Sequence, residues 1–206
     1  DSIGAPGGGG QVVRNELQAL GQLFDEVVVL GREQLVPWQY QGHDLPFLID
    51  YLALAKVRGQ SFPLAHVYSS CFTQTIAYLK SQGTRVTYTS PAHDRLESIA
   101  EWERQHGPGS YPFPHIQDPY LWGLMSEGLR LADVVIAPST HSRAFLEREG
   151  CRNIVVIPHG FDPPKGEPAP FPKVFRGGYL GATGSDKGVV YLLRAWGQLN
   201  LPDAEL

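Results

Sequence analysis

The sequence predicts an α/β domain built on a parallel sheet, and three observations carry that prediction. Short β-branched apolar runs alternate with stretches of helical periodicity along most of the chain. Glycines such as Gly31, Gly83 and Gly150 close these segments at strand, helix, strand spacing. Hydrophobic residues make up 42% and aromatic residues 11% of the 206 residues, enough to bury a core. Strands alternating with helices settle into a sheet layered with helices and linked by right-handed crossovers.

Taken in order, Val13, Leu17, Leu20 and Phe24 recur at spacings of four, three and four, which marks one face of a helix over 11–24. Glu26-Val-Val-Val-Leu30 before Gly31 reads as a strand buried on both faces. The segment 35–60 is less regular, with Phe47 to Lys56 fitting a helix. Ala65 to Ser69 reads as a strand, Thr73 to Ser81 as a helix ending at Gly83, and Arg85 to Ser90 as a strand. Leu96, Ile99 and Trp102 mark a helix to Gln105, stopped by Gly107-Pro108-Gly109; a proline-rich loop follows to Pro119. Leu121, Leu124, Met125 and Gly128 open a helix to about Leu131. Asp133 to Ala137 is then a strand, Ser142 to Glu149 a helix, and Asn153 to Ile157 a strand.

Six of the fifteen residues from Pro158 to Pro172 are proline, the composition of an interdomain linker. The expected organisation is a first domain over 1–162, a linker over 163–172 and a second domain beginning at 173. In the last part Val174 to Leu180 reads as a strand, and Gly188 to Leu199 as a helix with Val189, Leu192, Leu193 and Trp196 on one face. The 34 residues from Lys173 to Leu206 fall below the ~40 that usually fold unaided, so most of a second domain is expected to be absent. Asp1 to Pro6 supplies no apolar opening strand and no initiator Met, so the start is expected to be clipped as well.

The net charge of -4 without a basic cluster argues against nucleic-acid binding. The longest apolar runs, Tyr51 to Ala55 and Val189 to Leu193, fall far short of the ~18 residues of a membrane span, and no signal peptide is visible. Cys71 and Cys151 show no metal-ligand or CxxC spacing and read as core residues of a reduced, cytoplasmic protein. The histidines show neither HExxH nor HxH, so no metal site is expected.

Ligands of open parallel sheets bind beyond the carboxyl ends of the strands. There stand Gly7 to Gly10, the Ser90-Pro-Ala-His93-Asp94 turn, Pro138-Ser139 and Pro158-His159-Gly160. Four glycines before a helix let an anion such as a diphosphate approach the backbone amides at its N-terminus. The dinucleotide pattern GxGxxG fails, because its third glycine would fall at Val12 or Val13. Lys187, in a turn entering a helix with Ser185 or Asp186 as its cap, adds a second anion site. It is not a Walker A lysine, since Gly188 stands where a magnesium-binding Ser or Thr is needed. His93 can orient a hydroxyl or share a proton near neutral pH.

The stretch Leu131-Ala-Asp-Val-Val-Ile-Ala-Pro-Ser139, then Leu146 to Gly150, then Ile154-Val-Val-Ile-Pro-His-Gly-Phe-Asp162, resembles the end of the first domain of retaining GT-B glycosyltransferases of the family 4 type. Lys187-Gly188 with Tyr191-Leu-Leu193 resembles the opening of their donor domain, and Gly7 to Gly10 their glycine loop. His93 matches the histidine after a middle strand, and Glu127 the glutamate before the Ala-Asp motif. The resemblance implies two Rossmann-like domains, each a parallel sheet with helices on both faces, around a cleft. It further implies a nucleotide-sugar donor, retention of configuration, no cofactor and no obligatory metal. Lys187 and Gly188 would then meet the donor diphosphate, Gly9 and Gly10 the phosphate and acceptor side, and His93, as the catalytic position, the donor sugar. Ser139, His159 and Gly160 would line the cleft. The acceptor would be a glycan, a lipid-linked sugar or a small molecule, with peripheral membrane contact in the lipid-linked case.

The sequence departs from the family where Ala182 follows Gly181 in place of a common Arg, and where His159 replaces Asn. The family's Glu-x7-Glu motif would lie beyond Leu206, so the chain is expected to be inactive alone. Two other readings compete: a nicotinamide-dependent oxidoreductase with Glu33 on a ribose, and a non-catalytic module that binds a glycan or a partner.

Overall fold

The computed structural model describes residues 8–37, 45–68, 71–90, 95–108, 119–160, 165–167, 170–181 and 187–206. The chain divides into two compact units, Asp1–Gly160 and Phe161–Leu206.

In the first unit the elements run α1 (Gly8–Leu23), α2 (Arg32–Leu35), α3 (Leu45–Val57), β1 (Leu64–Tyr68), α4 (Thr73–Ser81), β2 (Arg85–Thr89), α5 (Arg95–His106), α6 (Pro119–Leu131), β3 (Val134–Ala137), α7 (Thr140–Arg148) and β4 (Ile154–Val156). The strands form one four-stranded sheet in the order β1-β2-β3-β4, and every pair is parallel. This is the α/β architecture that the alternating segments imply. α4 coincides with the sequence expectation, because Gly83 just past it adopts φ 82°, a left-handed conformation that suits glycine and stops the helix.

Register separates the two faces of the sheet, since paired residues project to the same side. Val67, Val86, Tyr88, Val135 and Ala137 share one face, packed with Ile76 of α4, Leu129 of α6, Leu146 of α7 and Cys151 into the core. Burying these side chains contributes roughly 1.5–3 kcal/mol apiece for the larger ones. Gly128 lets α6 approach closely: a Cβ there would stand 3.5 Å from Ile76 Cδ1 and Thr73 Oγ1. The opposite face carries His66, Thr87 and Thr89, with His66 paired to Thr87 and Tyr68 to Thr89. Its β1–β2 part is largely polar where a doubly covered parallel strand is normally apolar, while β3 adds Val134 and Ile136, the partners of Thr87 and Thr89.

The structure corrects the reading of 26–30. That run lies outside the sheet, with Val27 36% and Val28 50% exposed. A strand exists through its ladder partner, and among the described residues no strand pairs with this run or with the outer side of β1. An apolar pattern alone does not supply that partner.

In the second unit β5 (Phe175–Arg176) pairs in parallel with β6 (Ala204–Glu205), and α8 (Val189–Leu199) connects them. Phe175 stacks on Trp196 at 5.9 Å between ring centroids, and Arg176 Nη2 meets Glu205 Oε2 at 2.5 Å. The strand expected over 174–180 shortens to two residues as the chain enters Gly177 and Gly178. Leu193, expected on the inner face of α8, is 58% exposed, whereas Val189, Leu192 and Trp196 are half-buried. Positions i, i+3 and i+7 lie along one side of a helix, and Leu193 falls beyond its edge.

Candidate functional site

At the carboxyl end of the sheet the starts of α4 and α7 are occupied by the protein's own groups. At the junction of β1 and α4, Asp50 of α3 is 4% exposed and caps α4 from outside. Its carboxylate accepts hydrogen bonds from Gln74 N at 2.9 Å, Thr75 N at 3.0 Å and Thr75 Oγ1 at 2.6 Å. An internal anion thus fills the site that a ligand anion would otherwise find at this helix N-terminus. Thr73 Oγ1 donates to Leu124 O at 2.7 Å, which ties the same end to α6. Phe47 of α3 and Tyr120 of α6 stack on each other at 5.6 Å between ring centroids.

Ser139, expected in the cleft, is the N-cap of α7. Its Oγ accepts from Ser142 N at 3.1 Å and lies 3.0 Å from Ser142 Oγ. His159 and Gly160 follow β4 in an exposed, non-helical segment. Gly9 and Gly10 lie in the first turn of α1, where Gly10 is buried. Ser90, the residue after β2, is fully buried, and its hydroxyl has no hydrogen-bond partner among the described residues.

His93 lies outside the described residues, as do Ser185 and Asp186, the expected caps of the last helix. The N-cap of α8 is instead Gly188, at φ 70° and ψ 11°. Lys187 therefore stands one residue before a left-handed turn, which explains in backbone terms why glycine follows the lysine. Lys187 is exposed and belongs to the second unit. Glu33, the ribose reader of the oxidoreductase reading, falls in the short helix α2 rather than at a strand end.

Sequence reasoning missed three residues. Asp50 had a signal, a lone carboxylate inside the apolar helix Leu-Pro-Phe-Leu-Ile-Asp-Tyr-Leu. Glu16 had none, being one polar position among several in α1, and His66 only a weak one, the polar position of the strand Leu-Ala-His-Val-Tyr. Glu16 Oε2 lies 3.2 Å from His66 Nε2, and Glu16 Oε1 accepts from Thr89 Oγ1 at 2.7 Å.

Both cysteines are thiols held in the protonated form. Burial, aided by the charge of Asp50, pushes Cys71 up to about 11. Burial pushes Cys151 up to about 11, against an opposing effect of Arg130 and with a smaller one of Glu149. Neither is an activated nucleophile. Among the described residues, no group of three His, Cys, Asp or Glu side chains is placed to hold a metal ion, and no helix is long and apolar enough to cross a membrane.

The sequence model of Glycosyltransferase Family 4 matches residues 6–165. The chain belongs to glycosyltransferase family 4. The matched stretch takes in the glycine-opened α1, the parallel sheet and its carboxyl-end turns up to the start of the proline-rich segment. This family-4 domain is thus a sugar-transferring module by descent, and the oxidoreductase reading loses its ground. No curated protein and no solved structure matches the chain significantly.

Proposed function

We propose that this family-4 chain takes part in a retaining glycosyl transfer from a nucleotide sugar to a glycan, lipid-linked or small-molecule acceptor. The family match over 6–165 carries the proposal. The buried Gly10 in the first turn of α1 supports it, because a side-chain-free helix start lets phosphate or acceptor oxygens reach backbone amides. So does the chemistry of Lys187, a fixed cation beside a helix start, which suits a diphosphate that gains charge as it leaves. In this reading Gly9 and Gly10 line the phosphate and acceptor side, and Lys187 and Gly188 meet the donor diphosphate. His93 touches the donor sugar, and His159 and Gly160 border the cleft. Ser139 acts by fixing the start of α7, since its oxygen is already engaged with Ser142. The thiols Cys71 and Cys151 support a reducing compartment such as the cytoplasm, with the membrane surface as the meeting place when the acceptor is lipid-linked.

The test is a screen of the native protein against uridine, guanosine and adenosine diphosphate sugars, with product configuration read by NMR. Retained configuration and a Lys187→Ala loss of about 100-fold in kcat/KM are expected. Saturable binding of NAD or NADP with none of any sugar nucleotide overturns the reading. Binding of a glycan without transfer from any donor leaves the non-catalytic module in its place.

A further inference from the structure

The polar face of the sheet meets α1 through one connected set of side chains. His66 Nδ1 lies 2.8 Å from Thr87 Oγ1, and His66 Nε2 lies 3.2 Å from Glu16 Oε2. Thr89 Oγ1 donates to Glu16 Oε1 at 2.7 Å and stands 3.5 Å from His66 Nε2. The side chains of His66 and Glu16 are only 14% and 23% exposed. An ionised carboxylate only accepts, so Nε2 carries a proton toward Glu16, and the Thr87 hydroxyl adapts to whatever Nδ1 presents. Burial, with the charge of Glu16 adding to it, raises the neighbouring Tyr68 hydroxyl above its ordinary value.

Such a cluster is expensive to bury on a face that apolar residues would cover more cheaply. What it supplies is direction. In α1 the single buried residue among those whose burial is described is Gly10, so apolar packing holds this helix loosely. Two acceptor oxygens engaged by His66 and Thr89 set both the rotation and the height of the helix. Glu16 is six residues past Gly10, about 9 Å along the axis, and helical side chains lean toward the N-terminus, so the anchor acts beneath the glycine turn.

We propose that Glu16 and His66 are positioning residues for the glycine turn at Gly8–Gly10, holding its backbone amides where a phosphate or sugar oxygen is received. This rests on the glycosyl-transfer reading for the identity of the ligand, but not for the anchoring itself.

The experiment is amide hydrogen exchange on the native protein and on Glu16→Ala, Glu16→Gln, His66→Ala and the double variant Glu16→Ala/His66→Ala, with and without a nucleotide sugar. The expected result is exchange about tenfold faster at Val12 to Arg14, whose helical acceptors lie in the glycine turn, with the C-terminal half of α1 much less affected. The double variant should be little worse than either single one, and Glu16→Gln, which keeps an acceptor, should recover part of the protection. KM should rise severalfold with kcat nearly unchanged. Uniformly faster exchange along all of α1, or unchanged exchange at its first turns in variants that fold, overturns the proposal. Thr89→Val, which removes a donor at nearly constant volume, gives the same readout should the alanine variants fail to fold. A native protein whose α1 ignores every nucleotide sugar overturns the ligand assignment alone, since the variant pattern is read without ligand.

Discussion

Lys80 Nζ lies 2.5 Å from Asp133 Oδ1 across 53 residues of sequence, and the other oxygen of the same carboxylate accepts from Val86 N at 2.8 Å. Asp133 thereby clamps the end of α4 and the start of β2 to the entrance of β3, and its backbone N-H donates to Val86 O at 2.8 Å. Asn153, at φ 54°, donates its side-chain amide to Asp133 O and brings the entrance of β4 into the same knot. The Asp of the Ala-Asp motif is therefore a structural clamp at the amino end of the strands, the end away from the ligand edge.

Asp133→Ala is expected to destabilise the protein by about 1 kcal/mol, modest because the pair is partly solvated. The Lys80 hydrogen bond first, and the Val86 amide second, hold its carboxyl below the ordinary 3.8. A depressed folded value means that the clamp contributes fully above the unfolded value, and that the contribution fades as pH falls through the folded one. Denaturant melts of the wild type and Asp133→Asn should thus differ at about pH 6 and converge as the pH falls below 3.8 and through the depressed folded value. A constant gap across that window would show that the carboxylate charge contributes nothing.

Asp50→Ala is expected to cost more, about 2–3 kcal/mol, because three donors at the start of α4 lose a buried acceptor at once. Asp50→Asn keeps one acceptor oxygen and should lie between. The check is a urea midpoint at unchanged slope; a loss under 0.5 kcal/mol, well below the ~1 kcal/mol of an ordinary cap, would refute this capping role.

Gly188→Ala places a Cβ in a left-handed conformation at φ 70°, a strain of about 1–2 kcal/mol. Among the described residues the nearest atom to that Cβ is Tyr191 Cδ2 at 3.8 Å, an ordinary contact. The turn should open rather than the helix unfold, so nucleoside diphosphate affinity measured by calorimetry should fall while the helical circular dichroism stays. Unchanged affinity would detach the Lys187-Gly188 turn from the donor.

Both thiols should resist alkylation. With Cys71 pushed from 9.0 to about 11, its thiolate fraction near pH 7.5 is about 100-fold below that of an ordinary thiol. Iodoacetamide labelling of the folded protein, followed by mass spectrometry, should show slow modification that quickens only in strong alkali or on unfolding. Rapid labelling of Cys71 at neutral pH would contradict its buried setting beside Asp50.

Local rules in the sequence determined the elements whose cause is local. α4 lies between a polar start and a left-handed glycine, β3 is a short apolar run and β2 a β-branched one that alternates apolar and polar residues, and the parallel order follows from their alternation with helices. The family was legible too, in the Ala-Asp to Asp162 block, which lies within the matched residues. Only the tertiary structure decided that Val27 to Leu30 stays outside the sheet, that Gly188 is the N-cap of α8, and that Ser139 places its oxygen in a cap. Only it joined Asp50 to Thr75, Glu16 to His66 and Lys80 to Asp133, pairs 25 to 53 residues apart. The reason is physical: a helix satisfies its hydrogen bonds within one segment, so its pattern is written there. A strand, a cap from outside and a buried ion pair are each completed by a partner whose place is set by the packing of the whole unit.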